Sequence, residues 1–397
     1  MRYEQSIFNR RIIMKRTKKV LGLVLALSMV VASMSACGQT AKDDKFYIGG
    51  IGPVTGGAAV YGLAVKNGAE LAKKEINAAG GISGTQIQFD FEDDEADGEK
   101  AVNAYNLLKD GGMKILMGTV TSGACVAVAE KTLQDNMFQL TPSGSSTSCI
   151  VNDNAFQVCF SDPNQGIASA KYIGENSDVT KVAVIYDSSD IYSSGIYEKF
   201  AEEAKNQDFE IVAAEAFTAD SKSDFSVQIQ KAKDSGAELV FLPIYYTEAT
   251  LILTQAASLD YAPTFFGCDG LDGILGVENF DITLAEGVML LTPFAADATD
   301  AATQKFVTDY KAAYGETLNQ FAADAYDAMY IIKAAIEKGK VTPDMSVSDI
   351  CEAMKTAMTE ISVDGLTGAD MTWAATGEVN KAPRAVVIQS GAYVSVQ

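Results

Sequence analysis

The sequence predicts an α/β protein of two doubly wound, Rossmann-like lobes joined by three hinge crossovers. Three observations carry the prediction. Short apolar runs alternate with amphipathic runs along nearly the whole chain, the rhythm of repeated βαβ units and mostly parallel sheets. The rhythm runs through two successive series, one ending near 141 and one beginning near 181, so two sheets are expected. The loops that follow the apolar runs are rich in Ser, Thr, Tyr and Asp, which is where open parallel sheets bind ligands.

The elements follow in order. "FYIGGI" (46–51) reads as a buried strand. Val60, Ala64, Gly68, Leu71, Ala72 and Ile76 share one helical face, and Gly80-Gly81 stops that helix. "IQFDF" (87–91) alternates as a strand, with Asp97 placed to cap the next helix. "KILMG" (114–118) is a strand, 123–134 a helix and "MFQLT" (137–141) a strand. In the second series "KVAVIYD" (181–187) leads to a helix at 194–206, and "EIVAAEAF" (210–217) to one at 223–235. "ELVFLPIYY" (238–246) reads as a strand, 247–259 as a helix and "PTFFG" (263–267) as a strand. A third block holds the strand "GVMLLT" (287–292), helices near 300–313, 319–337 and 346–360, and a hairpin around Ser390-Gly391. The chain is expected to cross between lobes near 159–163, 291–295 and 367–372. Lobe 1 is then 46–160 plus 294–370, and lobe 2 is 161–293 plus 371–397.

The front end reads as an export signal, residues 1–36. Met14-Lys15-Arg16-Thr17-Lys18-Lys19 is a basic n-region, Val20 to Met34 an apolar h-region, and Ser35-Ala36 the small residues of a cleavage site. The n-region starts at Met14, so initiation at Met14 is an expectation. The h-region is short for a spanning helix. Cys37 follows directly, and "SMSACGQ" resembles a bacterial lipoprotein box with Met34 where leucine is usual. Cys37 is thus the expected lipidation site, with 37–45 a lipidated tether to the membrane. The plainer alternative is a secreted protein cut near Ala36.

Composition excludes much. The chain has 397 residues and no histidine, which removes Ser-His-Asp triads, His-based acid–base pairs and His zinc sites. Residues 1–36 carry seven basic residues and one acidic residue, leaving 24 basic against 51 acidic and a net charge of −27 in the rest. Such a body is repelled by nucleic acid and by anionic lipid heads. The cysteines at 125, 149, 159, 268 and 351 show no CxxC and no metal-ligand spacing. Cys149 and Cys159 flank a turn and have two readings, a disulfide or small buried thiols.

Six loops follow strands: "PVTGG" (53–57), "TVTSG" (119–123), "TPSGSS" (141–146), "YDSSDIY" (186–192), "IYYTE" (244–248) and "GCDG" (267–270). Ser122 has no histidine to activate it, no G-x-S-x-G elbow and no S-x-x-K spacing, so no catalytic residue is assigned. Hydroxyls and amides at the start of the 123–134 helix suit an anion, because free N–H groups and the positive dipole end lie there. An isolated serine there is usually only an N-cap. "GGAAVYG" (56–62) lacks both nucleotide-binding glycine patterns, so no cofactor is expected. Glu92-Asp93-Asp94-Glu95 lacks calcium-loop spacing and reads as a solvated strand end, and no metal is expected. Asp269, between glycines, is either a turn aspartate or the counter-charge for an ammonium. Tyr192 and Tyr245 end strands, as core residues or as cleft residues.

Several stretches, in order, carry a family likeness. They are "IGGIGPVTGGAAVYGLAVKNGAELAKKEINAAGGI", "FEDDEADGEKAV", "GTVTSGACVAVAE", "TPSGSST", "FQVCFSDPNQG", "AYDAMY" and "GLTGADMTWAATGEV". With them the chain resembles, over roughly 46–396, the branched-chain amino-acid (leucine/isoleucine/valine) binding proteins of ABC importers, which are type 1 periplasmic binding proteins. The resemblance implies an extracytoplasmic monomer that captures an amino acid by hinge closure and delivers it to membrane permease subunits. By position, it implies that Ser122 and Ser145 bind the ligand carboxylate, while the Ser143 carbonyl and Asp269 bind the ammonium. Tyr245 would contact the ligand from the second lobe, and Tyr61, Tyr192 and Phe321 would shape the side-chain pocket. The sequence also departs from the family. Asp269 is one methylene shorter than the usual glutamate, Thr121 and Ala96 replace a disulfide pair of some members, and Cys268 is unusual. A receptor for an amide, short peptide or aromatic acid, or a sensory subunit, remains an alternative.

Overall fold

The computed structural model describes residues 44–315 and 317–396. The expected signal segment, cleavage site and lipidated Cys37 lie outside the described residues. Two sheets form. The first is wholly parallel, in the order β2-β1-β3-β4-β5, from β1 (Lys45–Gly52), β2 (Gln86–Asp93), β3 (Ile115–Gly118), β4 (Phe138–Thr141) and β5 (Ala155–Gln157). The second runs β12-β11-β10-β9-β8-β6-β7. Its members are β6 (Lys181–Asp187), β7 (Glu210–Phe217), β8 (Leu239–Leu242), β9 (Thr264–Gly267), β10 (Met289–Thr292), β11 (Arg384–Gln389) and β12 (Ala392–Ser395). Strands β6 to β10 are parallel and the final hairpin is antiparallel.

The short central strands are apolar because both faces are covered. Every residue of β3, β4 and β8 is buried. Helices α1 (Ala59–Ala78), α2 (Gly98–Asp110) and α3 (Ser122–Asp135) serve the first sheet. Helices α4 (Asp162–Asn176), α5 (Ile191–Glu203), α6 (Ser226–Asp234) and α7 (Tyr246–Ser258) serve the second. Helices α8 (Ala301–Tyr314), α9 (Gln320–Gly339) and α10 (Val347–Met358) return to the first. The expected face of α1 is buried from Ala64 to Ile76, with Val60 half-buried, and Gly68 lets α9 lie against it: a Cβ there would stand 2.1 Å from the Ala322 carbonyl oxygen.

The chain therefore passes between sheets after β5, after β10 and before β11. The last passage is tied down by a buried ion pair. Lys381 Nζ lies 3.0 Å from Asp324 of α9 with neither side chain exposed, and donates to Thr367 Oγ1 at 2.6 Å. Asp327, one turn along α9, accepts from the Leu366 and Thr367 amides at 2.9 Å each. Trp373 Nε1 donates to the Gln157 carbonyl at 2.8 Å and so holds this passage to β5.

Local departures from the pattern have physical causes. The strand expected over 238–246 stops at Leu242, since Pro243 has no N–H for the ladder. Tyr245 is instead the N-cap residue of α7. The helix expected from 194 starts at Ile191, because the Asp190 carboxylate caps the Ser193 amide at 3.1 Å, and Tyr192 thus sits in a first helical turn. The acidic run is not uniformly solvated. Asp94 is fully buried and accepts from the Ala96 amide at 2.9 Å, and Asp93 accepts from the Val54 amide at 2.9 Å. Cysteines 125, 149, 159, 268 and 351 are all buried and free, so the second reading of Cys149 and Cys159 holds. Among the described residues no helix is long and apolar enough to cross a membrane.

Candidate functional site

Each sheet has a topological switch point, β1 against β3 in the first and β6 against β8 in the second. The loops beyond these strand ends meet in one cavity, nearly filled by its own walls, with about 10 Å³ open to the centre of a water-sized sphere. Its walls include all eight nominated pocket residues: Ser122, Ser143, Ser145, Asp269, Tyr61, Tyr192, Tyr245 and Phe321. Val120, Thr121 and Gly270 complete it.

One wall is a donor surface. Ser122 opens α3, and its N-cap residue Thr121 makes no side-chain cap bond, so first-turn amides lie beside the cavity. The Ser122 hydroxyl accepts from the Ser146 amide at 3.2 Å, which leaves its own proton to donate. Ser143 Oγ donates to the Val120 carbonyl at 2.8 Å, so its hydroxyl proton is committed within the protein. Thr121 Oγ1 is buried without a partner, a feature the sequence does not announce, since Thr121 stands out there only as a lost disulfide position.

The second sheet contributes an acid to the cavity. Asp269 follows β9 and is 4% exposed. Its carboxylate accepts from the Tyr192 hydroxyl at 2.8 Å and from Gln165 Nε2 at 3.0 Å. Burial raises its pKa to about 7, against the pull of those two hydrogen bonds. Gly270 is dictated by closeness: a Cβ there would meet the Tyr192 hydroxyl at 2.5 Å and the Ile244 carbonyl oxygen at 2.6 Å. Asp162, at the first crossover, was also not singled out in the sequence. It is buried behind Ser145, whose carbonyl accepts from the Asp162 amide at 3.0 Å. Neither of its carboxylate oxygens makes a side-chain or backbone hydrogen bond of good geometry, and burial pushes its carboxyl well above the usual range, with the nearby Ser145 hydroxyl pulling the other way.

Aromatic rings close the rest. Tyr192 and Tyr245 stack at 5.0 Å, and Tyr61 lies 4.4 Å from Phe321 and 5.6 Å from Tyr245, ring centre to ring centre. Beyond the Tyr192–Tyr245 stack, Lys222 pairs with Asp187 at 3.0 Å and Glu248 at 3.5 Å. Its charge is thereby committed outside the cavity, whose own side chains include no cation.

A small polar chamber between two doubly wound lobes, with donors from one sheet and an acid from the other, defines a two-lobed solute receptor. Residues 45–392 match the model of the periplasmic binding protein family, and the chain belongs to that family. The Leu/Ile/Val-binding protein homolog 3 of Brucella melitensis biotype 1 is 31% identical over 328 residues, 82% of this chain and 87% of that one. The leucine-, isoleucine-, valine-, threonine- and alanine-binding protein of Pseudomonas aeruginosa is 28% identical over 331 residues, 80% of this chain and 86% of that one. Among solved structures, the branched-chain amino acid transporter substrate binding protein LivJ of Streptococcus pneumoniae, in complex with isoleucine, superposes with a TM-score of 0.79. It is 27% identical, covering 88% of this chain and 97% of that one.

Proposed function

We propose that this chain is the extracytoplasmic solute-binding subunit of an ABC importer and that its solute is an α-amino acid, branched-chain or otherwise apolar. One observation carries the reading: donors from one sheet and an acid from the other meet in a cavity otherwise walled by aromatic rings. A zwitterion needs that division. The hydroxyl and amide of Ser122, with Ser145, hold the carboxylate. The Ser143 carbonyl and Asp269 hold the ammonium. Tyr245 contacts the ligand from the second lobe, while Tyr61, Tyr192 and Phe321 receive an apolar side chain. Hydrogen bonds to charged groups contribute about 1.5–3 kcal/mol each, so a few of them suffice for tight capture.

Lobe 1 (46–160 plus 294–370) supplies Ser122, Ser143 and Ser145, and lobe 2 (161–293 plus 371–397) supplies Asp269 and Tyr245, so both lobes hold the solute. The ligand therefore favours the closed arrangement, and hinge closure is the signal delivered to a permease. The subunit acts as a monomer, performs no catalysis, and is tethered outside the cytoplasm through lipidated Cys37. Family membership and the relatives' names support the amino-acid receptor role in an ABC importer.

Replacing Asp269 with alanine tests it. Titrated with L-leucine or L-isoleucine, Asp269→Ala is expected to bind about a hundredfold more weakly, the loss of one buried charge-assisted pair. A ligand without an ammonium, such as an aromatic acid, would lose little. Undiminished amino-acid binding by the variant contradicts the ammonium role.

A further inference from the structure

The N-termini of α1 and α7 face each other across the cleft, and neither helix caps itself with a side chain. Helices leave their first N–H groups without intrahelical partners, and a nearby side-chain acceptor usually satisfies them. Here each helix takes its acceptor from the other. The Val60 amide, in the first turn of α1, donates to the Tyr246 hydroxyl at 3.1 Å. The Tyr246 amide, the first of α7, donates to the Tyr61 hydroxyl at 3.1 Å. The Tyr61 hydroxyl in turn donates a hydrogen bond to the Gly270 carbonyl. The two rings meet edge to face, 4.7 Å apart at 80°, and both are almost wholly buried.

We propose that Tyr246, which does not line the ligand cavity, is a positioning residue for closure: with Tyr61 it forms a reciprocal helix cap that is complete only when the lobes are together. The inference rests on the reading of the cleft as one that closes on a solute. Separating the lobes removes both acceptors from both donors in one motion, so the two bonds are made and lost as a unit. Tyr61 joins this latch to the cavity. Its ring lines the cavity beside Phe321, while its hydroxyl caps α7. A solute that seats against the Tyr61 ring fixes the hydroxyl on which the α7 cap depends. Thr247 adds a neighbouring bond across the cleft, donating to the Gly57 carbonyl at 2.6 Å.

Amide hydrogen exchange of the purified protein tests the unit. In the unmodified chain the amides at 60 and 246 are expected to show equal protection and to lose it together as temperature rises. Tyr246→Phe keeps the ring and deletes one acceptor. It is expected to speed exchange at Val60 about tenfold, the equivalent of one hydrogen bond. It is also expected to speed exchange at the backbone amide of position 246 by a similar factor, although that amide's own partner, Tyr61, is untouched. Acceleration at Val60 alone overturns the proposal. So does unequal protection of the two amides in the unmodified chain, a comparison that needs no variant. Added L-leucine is expected to protect both amides. If it protects neither while the two remain coupled, the amino-acid reading fails and the latch stands.

Discussion

Gln165 and Asp269 hold each other through two hydrogen bonds. Gln165 Nε2 donates to the Asp269 carboxylate at 3.0 Å, and the Asp269 amide donates back to Gln165 Oε1 at 3.2 Å. Gln165 lies in the first turn of α4, immediately after the first crossover. The acid of the cavity is therefore aimed by the element that enters the second sheet. An anion oriented this way needs no rearrangement when a cationic group arrives, which lowers the cost of binding.

The donor wall yields a mutational prediction. Ser122→Ala removes one hydroxyl donor and keeps the first-turn amides of α3. Binding of L-leucine is expected to weaken about tenfold, in line with one hydrogen bond to a charged group. Small-angle scattering is expected to show the same ligand-induced compaction at saturation as in the unmodified protein. Loss of compaction at saturation contradicts the assignment of Ser122 to the carboxylate alone.

The pH dependence follows from Asp269. Its folded pKa of about 7 lies above its ordinary value of 3.8, because burial penalises the charge. The stability linked to its proton is fully present below the ordinary value and is lost as pH rises to about 7. A ligand ammonium reverses the preference and favours the ionised form. Affinity for an α-amino acid should thus fall about tenfold per pH unit below about pH 7 and level off above it. Titration calorimetry across that range checks this, and a flat profile contradicts an ionised Asp269 as the partner.

The buried pair at the last passage makes a stability prediction. Burial raises the pKa of Asp324 to about 6 even with Lys381 beside it. Lys381→Met leaves that carboxylate uncompensated, which costs about 3–5 kcal/mol. The loss is expected in full near pH 8 and is expected to shrink towards pH 5, where Asp324 takes up a proton. Thermal unfolding at the two pH values measures it, and equal losses contradict a charge-based cause.

The thiols give a simple count. Cys125, Cys149, Cys159, Cys268 and Cys351 are buried and unpaired. A body lacking residues 1–37 is expected to react with no thiol reagent while folded and with all five thiols once denatured. Fewer after denaturation without reductant indicates a disulfide.

The alternation of Val-, Ile- and Phe-rich runs with amphipathic ones was legible because parallel strands buried on both faces must be apolar. The site loops were legible because they follow those runs. The end of β8 was misread because the apolar run continues past Pro243 as Ile244, Tyr245 and Tyr246, and apolarity alone does not reveal a missing N–H. Helix α4 went unseen because its buried positions include Asp162, Gln165 and Ser169, which break an apolar stripe. Lys381 and Asp324, and Tyr246 and Val60, were not legible at all. Their meaning lies in contacts between distant segments, and local pattern carries no trace of that.

The central claim is capture of a zwitterionic amino acid in the cleft between the two sheets. Isothermal titration of the exported body against the standard amino acids tests it most directly. Saturable heat is predicted with at least one apolar amino acid, at one ligand per chain. No heat with any of them up to millimolar concentration would contradict the account.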